Sequence, residues 1–376
     1  MPFWINNPVE INNSNKLTKI LSNEQLLNKT NRQIINSNVK LDYTIHDKME
    51  DRFIEFINNN YINCEENILR LVYNKELLEL YDNSMIIEFK PKNKNTIVGF
   101  IIGRKISIYI DDIIEESLEV NFLCIIPKLR NLNLAPYMIN ILTKCALIKY
   151  NISIANYTIH DNIKAPYFSK KKFYHIPLNI TKLIQCKFFY DGFFKDEFTV
   201  DKFKNIYNEF NYIRNTFKIH YFCNTFIEES KIILLYNRLI KYYKKTFTIY
   251  EYLSIEKFKL LISNKSFHHF IIYNNDNEII SYLCLFNLVS LNTKNDISYN
   301  NGNIFLMFFD KMEDIKNIFE IVKEYIFTNN IFDIISFTDI LKVKLECISG
   351  SCELKYYLFN TKYSLIENSK NGLITI

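Results

Sequence analysis

Two spacings of apolar residues alternate along the first half of the chain and predict a succession of helices and strands. In residues 49–60, Phe53, Ile54 and Ile57 recur at helical spacing, which predicts an amphipathic helix. A second helix is predicted from about Pro136 to Tyr150, where apolar residues cover a wide face. Apolar runs predict strands at residues 84–90, 96–103, 106–110, 117–126 and 152–159. The last two strands flank the second helix, which is the order of a βαβ unit.

The second half repeats this rhythm. A strand is predicted at residues 303–309, a helix at 315–327 and a strand at 332–337. Similar units at similar places indicate an internal duplication, although the residue identity between them is low. We therefore predict an α/β (α+β) fold built from two halves, residues 1–200 and 201–376.

Two segments interrupt the pattern. Residues 10–48 are polar and rich in asparagine, and we expect an extended arm or loop there. Residues 201–262 are predicted to be helical, with their many Tyr and Phe side chains in the core.

Composition and charge narrow the class of protein. The chain has 376 residues and a formal net charge of +5, with its cationic residues spread along the sequence, which argues against a dedicated nucleic-acid binder. No apolar run reaches the roughly 18 residues that span a bilayer, and the start Met1-Pro2-Phe3-Trp4 lacks the order of a signal peptide. The eight cysteines are scattered and mostly in apolar contexts, and none forms a zinc-type spacing with histidine. We expect a cytoplasmic, metal-free protein with no stable membrane insertion.

The segment between the strand at 117–126 and the following helix is a candidate anion site. A turn that opens directly into a helix presents unpaired backbone N–H groups and the positive end of the helix dipole. Acyl-CoA N-acyltransferases of the GNAT type place a turn with Arg, Gly and a small residue here, and Arg130, Asn133 and Ala135 fit that spacing. Asn tolerates the left-handed conformation that glycine would adopt. An ordinary strand-to-helix turn explains the same residues.

Several separated segments together resemble the N-myristoyltransferase family. The block Asn121-Phe122-Leu123-Cys124, with Lys128-Leu129-Arg130 and Ala135-Pro136, is the closest match. The resemblance continues through these further segments: Phe3-Trp4 with Pro8-Val9, Tyr61–Asn67, Val98–Ile101, Tyr157-Thr158, Tyr174-His175, Leu178-Asn179, Asp339, Tyr356–Asn360 and Gly372–Ile376. Because the order and spacing hold from residue 3 to residue 376, chance similarity is a poor explanation.

This resemblance implies a duplicated GNAT-like fold whose halves are related by a pseudo-twofold axis. It implies transfer of a myristoyl or other long acyl group from CoA to the amine of an N-terminal glycine. Myristoyl-CoA is then a co-substrate, no cofactor is permanently bound, and we expect a monomer that acts on glycine-initiated peptides or proteins. The family's oxyanion donors map to the backbone N–H groups of Phe122 and Leu123, where the strand would leave the ladder at a bulge. Its general base maps to the α-carboxylate of Ile376.

Binding roles follow from the same resemblance. The acyl-CoA site would comprise Phe3, Trp4, Asn121, Arg130, Asn131, Leu132, Asn133, Leu134, Ala135 and Pro136. The peptide site would comprise Tyr61, Ile62, Glu65, Glu66, Thr158, Ser290, Asp339, Gly372 and Leu373. The chain departs from the family in the turn, where Leu132 and Asn133 replace two cations, and in the acidic loop, where Cys64 replaces an acid. The run Lys170–Lys172 could restore some positive charge, although such a run is typical of a solvated face.

Two other functions remain open at this point. The altered turn is compatible with an N-acyltransferase of changed acyl or peptide preference. A non-catalytic protein that binds acyl-CoA or glycine-initiated peptides is the alternative of a different class. The apolar residues near the C-terminus and the Asn121-Phe122-Leu123 segment favour an active enzyme.

Overall fold

The structure is a computed structural model. It describes residues 8–11, 16–61, 68–160, 163–189, 193, 200–201, 217–339 and 345–374, with the backbone alone at 351 and 352. Within these ranges the strands are β1 Val9–Ile11, β2 Thr18–Lys19, β3 Leu41–His46, β4 Leu69–Val72, β5 Met85–Pro91, β6 Gly99–Ile110, β7 Ile113–Ile125, β8 Ala155–Ile159, β9 Ser169–Pro177, β10 Lys218–Phe222, β11 Ile249–Glu251, β12 Phe267–Tyr273, β13 Ile279–Asn292, β14 Ser298–Phe309, β15 Ile334–Thr338, β16 Ile348–Phe359 and β17 Thr361–Tyr363. The α-helices are α1 Asn23–Ile35, α2 Asp51–Asn60, α3 Lys75–Leu78, α4 Leu134–Tyr150, α5 Ile180–Gln185, α6 Glu229–Thr246, α7 Ile255–Ser263 and α8 Ile315–Thr328.

One large sheet runs through both halves of the chain. Its strands follow the order β10-β12-β13-β14-β15-β9-β16-β8-β7-β6-β5-β3, with β11 on β6 and β4 on β13. The strands β9 and β16 cross between the halves, because β9 lies between β15 and β16 while β16 lies between β9 and β8. A strand of the first half, β9, therefore lies among strands of the second half, and β16 of the second half lies next to β8 of the first. The division of the chain at residue 200 stays a prediction.

The two predicted strand-helix-strand units are confirmed. In the first half β7 and β8 are parallel neighbours, with Leu118 opposite Ala155 and α4 between them in sequence. In the second half β14 and β15 are parallel neighbours on either side of α8. Both connections obey the rule that parallel neighbours need a crossover, usually a helix. The predicted mixed α/β class and the helices at 49–60, 136–150 and 315–327 match α2, α4 and α8.

Three expectations about individual segments are wrong. Residues 10–48 contain α1 and β3 instead of an extended arm, and α1 begins at a capping box in which Ser22 and Gln25 satisfy each other's backbone N–H groups. This Ser-x-x-Gln signal lay hidden in asparagine-rich sequence. The separate strands at 96–103 and 106–110 are one strand, β6, because the pairing with β7 continues through Lys105. The stretch 201–262 holds β10 and β11 besides α6 and α7.

The apolar residues of the sheet and helices form several buried clusters. The largest packs the faces of β12, β13 and β14 against α6, α7 and α8 and reaches Phe122 in the first half. A second cluster lies beneath α4, and a third joins β6, β16 and β17 to Leu373 near the end of the chain. Over the described ranges, every helix is too short or too polar to cross a membrane.

Candidate active site

A bulge in β7 lies at the centre of the predicted site. The register of β7 with β6 leaves two residues, Phe122 and Leu123, opposite the single residue Ile101. Phe122 has a φ of 50°, in the left-handed region that bulky residues rarely occupy. Strain of this kind persists only where the surroundings hold it, and it clusters at functional sites. The bulge expected from the sequence is therefore present, and its backbone is bent away from the ladder.

Three tyrosines hold Phe122 in this conformation. The ring centroids of Tyr61, Tyr73 and Tyr81 lie 5.2, 5.1 and 5.3 Å from that of Phe122. Burial raises the pKa of Tyr61 to about 12, and it raises those of Tyr73 and Tyr81 above their ordinary value. All three hydroxyls therefore stay neutral at physiological pH, so this wall of the site presents uncharged hydrogen-bonding groups.

The side chain of Asn121 connects one tyrosine to the bulge. Its Nδ2 donates to Tyr81 Oη at 2.9 Å, and its Oδ1 accepts the N–H of Phe122 at 2.9 Å. The Phe122 N–H thus points at an oxygen atom in this structure. A backbone donor fixed by a strained bulge is the type of group that can stabilise a developing oxyanion.

The bulge stands beside a gap in the sheet. Parallel pairing of β7 and β8 ends at Glu119 and Asn156, and Asn121 and Thr158 lie two residues further along their strands. Ligands of open α/β sheets bind outside the carboxyl ends of the strands, where such crevices form. The candidate residues Asn121 and Thr158 therefore lie on either side of the place where β7 and β8 separate, next to the Phe122 bulge.

The predicted anion turn forms at the same end of β7. Residues Pro127–Leu132 make a 3₁₀ turn, and Asn133 has φ 54° and ψ 36° immediately before α4. The left-handed conformation expected from Asn in place of glycine is confirmed. Because the Asn133 side chain makes no capping hydrogen bond, it does not occupy the backbone N–H groups of the first turn of α4.

The side chains of this turn divide into three groups. Arg130 donates Nη2 to the carbonyl of Asn60 at 2.7 Å and Nε to that of Ile125 at 3.1 Å, which ties the turn to the end of α2. Asn131, Leu132 and Asn133 are exposed, while Ala135 and Pro136 are half-buried. Leu134 is buried in the cluster beneath α4, so only its backbone could meet a ligand.

The peptide-site candidates approach from the second half. Ser290 is buried on β13, where it pairs with Leu71 of β4, two residues before Tyr73. Asp339 accepts the N–H of Lys172 at 3.2 Å and Nδ2 of Asn368 at 2.8 Å. Thr158 pairs with Tyr356 of β16.

The end of the described chain runs inward. The N–H of Gly372 donates to the carbonyl of Ile249 at 2.7 Å, and Leu373 is buried in the cluster that contains Tyr356. Gly372 is required by close packing, since a Cβ there would lie 2.7 Å from the ring of Phe247. Six predicted site residues lie outside the described residues: Phe3, Trp4, Ile62, Glu65, Glu66 and Ile376.

The structure brings Tyr61, Asn121 and Phe122 into one cluster and places Thr158 across the adjacent gap. Sequence reasoning missed Tyr81 and Lys171. Tyr81 carries no recognisable motif, whereas Lys171 had a signal in its strand period: it is the middle of three lysines, and alternate side chains of a strand point to opposite faces.

The second half repeats this geometry without the strain. The register of β13 with β14 leaves Phe305 as the extra residue, and the parallel pairing of β14 with β15 ends at Asn303 and Ser336. Phe305 is packed among Phe267 and Phe286, and its φ is not positive. Both bulges are buried in the same cluster, and only the bulge of the first half has strained backbone.

Comparisons with known proteins agree with this architecture. A sequence model of the family "Myristoyl-CoA:protein N-myristoyltransferase, N-terminal domain" matches residues 12–170. The glycylpeptide N-tetradecanoyltransferase of Plasmodium falciparum is 25% identical over 333 residues, which is 85% of this chain and 78% of that protein. Glycylpeptide N-tetradecanoyltransferase 1 of Arabidopsis thaliana is 33% identical over 148 residues, but the match spans only 38% of this chain and 34% of that protein.

A solved structure shares the fold over the whole chain. The crystal structure of Saccharomyces cerevisiae N-myristoyltransferase with bound myristoyl-CoA has a TM-score of 0.78 and covers 100% of this chain and 99% of its own, at 18% identity. The residues that the family model matches include the β7 bulge and the turn before α4, and the longer match extends into the second half. Similarity to N-myristoyltransferases in sequence therefore extends over most of the chain, and similarity in fold extends over all of it.

Proposed function

We propose that this protein transfers a myristoyl group from myristoyl-CoA to the amine of an N-terminal glycine. The observation that carries the proposal is the strained bulge at Phe122, whose N–H already donates to an oxygen atom beside the gap between β7 and β8. Attack of an amine on a thioester forms a tetrahedral oxyanion, which requires donors fixed at that position. The thioester oxygen would replace Asn121 Oδ1 on the Phe122 N–H, with the Leu123 N–H as the second donor.

The reaction also requires a base. The glycine amine has a pKa near 8, so part of it is protonated at neutral pH and must lose a proton before it attacks the carbonyl. We assign this role to the α-carboxylate of Ile376. The inward course of Gly372 and Leu373 supports the assignment, because a terminus that follows them starts from the core. The carbon–nitrogen bond forms and the carbon–sulfur bond breaks. Of the two protons that the ammonium group loses, one passes through the carboxylate to the CoA thiolate and the other is released to solvent.

The turn before α4 is proposed to hold the CoA pyrophosphate through backbone N–H groups. Arg130, the cation of the turn that is nearer to the helix, donates to the carbonyls of Asn60 and Ile125, and its positive charge would add to the backbone contacts with a phosphate. Arg130→Ala should weaken binding of myristoyl-CoA by about 1–3 kcal/mol, the scale of a charge-assisted hydrogen bond. Direct titration of acyl-CoA checks this value.

Asp339, with Glu65 and Glu66, is proposed to select a basic residue downstream of the peptide glycine. We further propose that the protein acts as a cytoplasmic monomer, that myristoyl-CoA is its co-substrate, and that it requires no permanently bound cofactor. Comparing kcat/KM for two glycine-initiated peptides that differ only by Lys or Ala downstream tests the selectivity. Equal values for the two peptides would contradict it.

A transfer assay tests the reaction and the base together. Purified protein, myristoyl-CoA and a glycine-initiated peptide should yield acylated peptide by mass spectrometry and an equal amount of free CoA thiol. The same peptide with an acetylated amine is the control and should give neither product.

One residue added after Ile376 should lower kcat by roughly 100-fold, the effect of losing a positioned base. Ile376→Leu retains the carboxylate and should keep most activity. Binding of myristoyl-CoA without turnover would favour a non-catalytic binder, and turnover of another acyl-CoA would favour an altered acyl preference.

A further inference from the structure

A lysine lies entirely inside the protein where β9 meets the end of the chain. Lys171 has an exposed fraction of 0% and is among the largest fully buried side chains. Lysine is almost never fully buried unless its charge is paired. The expectation that residues 170–172 form a solvated face therefore does not explain Lys171, and its burial needs another explanation.

The strand period separates Lys171 from its neighbours. Lys170 and Lys172 stay partly exposed, and Lys170 forms an ion pair with Glu353 at 3.1 Å. Lys171 points to the opposite face of β9, as alternation along a strand demands. Of the three lysines, only Lys171 is turned toward the core.

The ammonium group of Lys171 makes two contacts with described residues. Nζ donates to the carbonyl oxygen of Leu373 at 2.6 Å and lies 4.9 Å from the ring centroid of Tyr356. Within the ranges that the structure describes, no carboxylate lies within 4 Å of Nζ, and Asp339 is the carboxylate that acts on it from further away. Burial lowers the pKa of Lys171 to about 7, and Asp339 opposes this shift.

The segment that Lys171 contacts is held from several sides. Gly372 N–H donates to Ile249 on β11, and Leu373 N–H donates to Asn371 Oδ1 at 3.0 Å. Among the described residues, the bond from Lys171 joins the segment to β9, whose neighbour β16 pairs with the strand of Thr158. It therefore sets the position of Leu373 relative to the gap that Thr158 borders.

We propose that Lys171 is a positioning residue that fixes residues 371–374 through the Leu373 carbonyl and so places the chain that follows them. The catalytic part of this proposal rests on the proposed function, in which Ile376 carries the base. Lys171 forms and breaks no covalent bond, and its side chain acts on the reaction through the backbone of Leu373.

The test compares Lys171→Met with Lys105→Met. Methionine keeps the length of the buried side chain and removes its donor. Lys105 is also on a strand but half-exposed, where it pairs with Glu116 at 2.6 Å, so its variant removes one positive charge without touching residues 371–374. Lys171→Gln, whose shorter amide retains a donor, is a second variant in case the first does not fold.

The first readout is amide hydrogen exchange of the peptide that contains Gly372 and Leu373. Lys171→Met should accelerate it roughly 10- to 100-fold, the range for loss of a hydrogen bond from a charged group. Lys105→Met should leave it unchanged, and Lys171→Gln should give an intermediate rate. Unchanged exchange in folded Lys171→Met would overturn the proposal, and this readout is independent of any transferase activity.

The second readout is the split between kcat and substrate binding. Lys171→Met should lower kcat about tenfold while the Kd of myristoyl-CoA stays the same. Accelerated exchange with an unchanged kcat would overturn the positioning role. If the wild-type protein transfers no acyl group, the proposed function fails, while the exchange measurement still decides whether Lys171 holds the segment.

Discussion

Arg104 and Lys171 are two cations in the interior of this protein, largely buried and fully buried respectively, and their surroundings are opposite. Arg104 of β6 donates Nε to Glu119 at 2.7 Å and Nη2 to Glu251 at 2.9 Å, so two carboxylates balance its charge. Lys171 donates to a neutral carbonyl. Although burial lowers the pKa of Arg104, Glu119 and Glu251 raise it above its ordinary value, whereas burial lowers that of Lys171 to about 7.

The different surroundings indicate different roles for the two cations. The charge of Arg104 stabilises the fold, whereas that of Lys171 does not. The Arg104 cluster joins β6 and β7 of the first half to β11 of the second, and its desolvation is offset by ion pairing. Among the described residues, no carboxylate offsets the charge of Lys171 in this way, so its burial costs free energy. Groups of this kind are candidates for functional sites.

The largest expected effect comes from replacing each cation by methionine. Arg104→Met removes the partner of the buried Glu119 carboxylate and one of the two partners of the largely buried Glu251, and it should lower the free energy of unfolding by about 3–5 kcal/mol. Lys171→Met should leave it unchanged or raise it. Urea unfolding of both variants measures the difference. Equal losses at the two positions would remove the distinction between them.

Tyr81 connects the Arg104 cluster to the bulge. The guanidinium of Arg104 lies 5.7 Å from the Tyr81 ring centroid, and Tyr81 Oη accepts from Asn121. Tyr81→Phe removes this buried acceptor and should destabilise the protein by about 1–3 kcal/mol. Crystallography of the variant should show the Asn121 amide displaced from the Phe122 N–H. An unmoved Asn121 with unchanged stability would mean that the cluster does not support the bulge.

The pH dependence of stability sharpens the description of Lys171. Between pH 7 and 10.5 the unfolded chain keeps a proton on this lysine that the folded protein has released, so the free energy of unfolding should rise with pH. The contribution is about 1.4 kcal/mol per pH unit. Because cysteines and tyrosines also titrate at alkaline pH, the relevant quantity is the difference between wild type and Lys171→Met. A difference that stays constant from pH 7 to 9 would show that Lys171 keeps its proton when folded.

The smallest effect is expected at an exposed lysine. Lys105→Met breaks a half-exposed ion pair with Glu116 and should change the free energy of unfolding by about 0–1 kcal/mol. Thermal unfolding measures this change. If Lys105→Met lost as much free energy of unfolding as Arg104→Met, removal of a charge would determine the stability of these variants regardless of its burial.

The sequence allowed accurate predictions where a local pattern determines the backbone. Asn133 stands where a glycine was expected and adopts the left-handed conformation, and the strand around Phe122 carries the expected bulge. Both features depend on residues close in sequence. The helix at Asn23–Ile35 was missed because its capping signal is short and its apolar face is narrow, with Leu26 as its one buried apolar residue.

Contacts between distant residues could not be predicted in the same way. Lys171 and Leu373 are 202 positions apart, and Tyr81 and Asn121 are 40 apart. A run of three lysines is usually solvated, and only the strand period indicates that its middle member faces inward. The acceptor that it meets there depends on how β9, β11 and the end of the chain pack together.

The exchange of β9 and β16 between the halves has a consequence for synthesis on the ribosome. β9 pairs with β15 and β16, which follow it by more than 150 residues, so the strand cannot find its neighbours until almost the whole chain has emerged. Long-range pairing of this kind slows folding. A nascent chain that stops before β15 would expose β8 and β9 as open strand edges, which promote aggregation. Truncated products of this protein are therefore expected to accumulate in the insoluble fraction rather than as a separately folded first half.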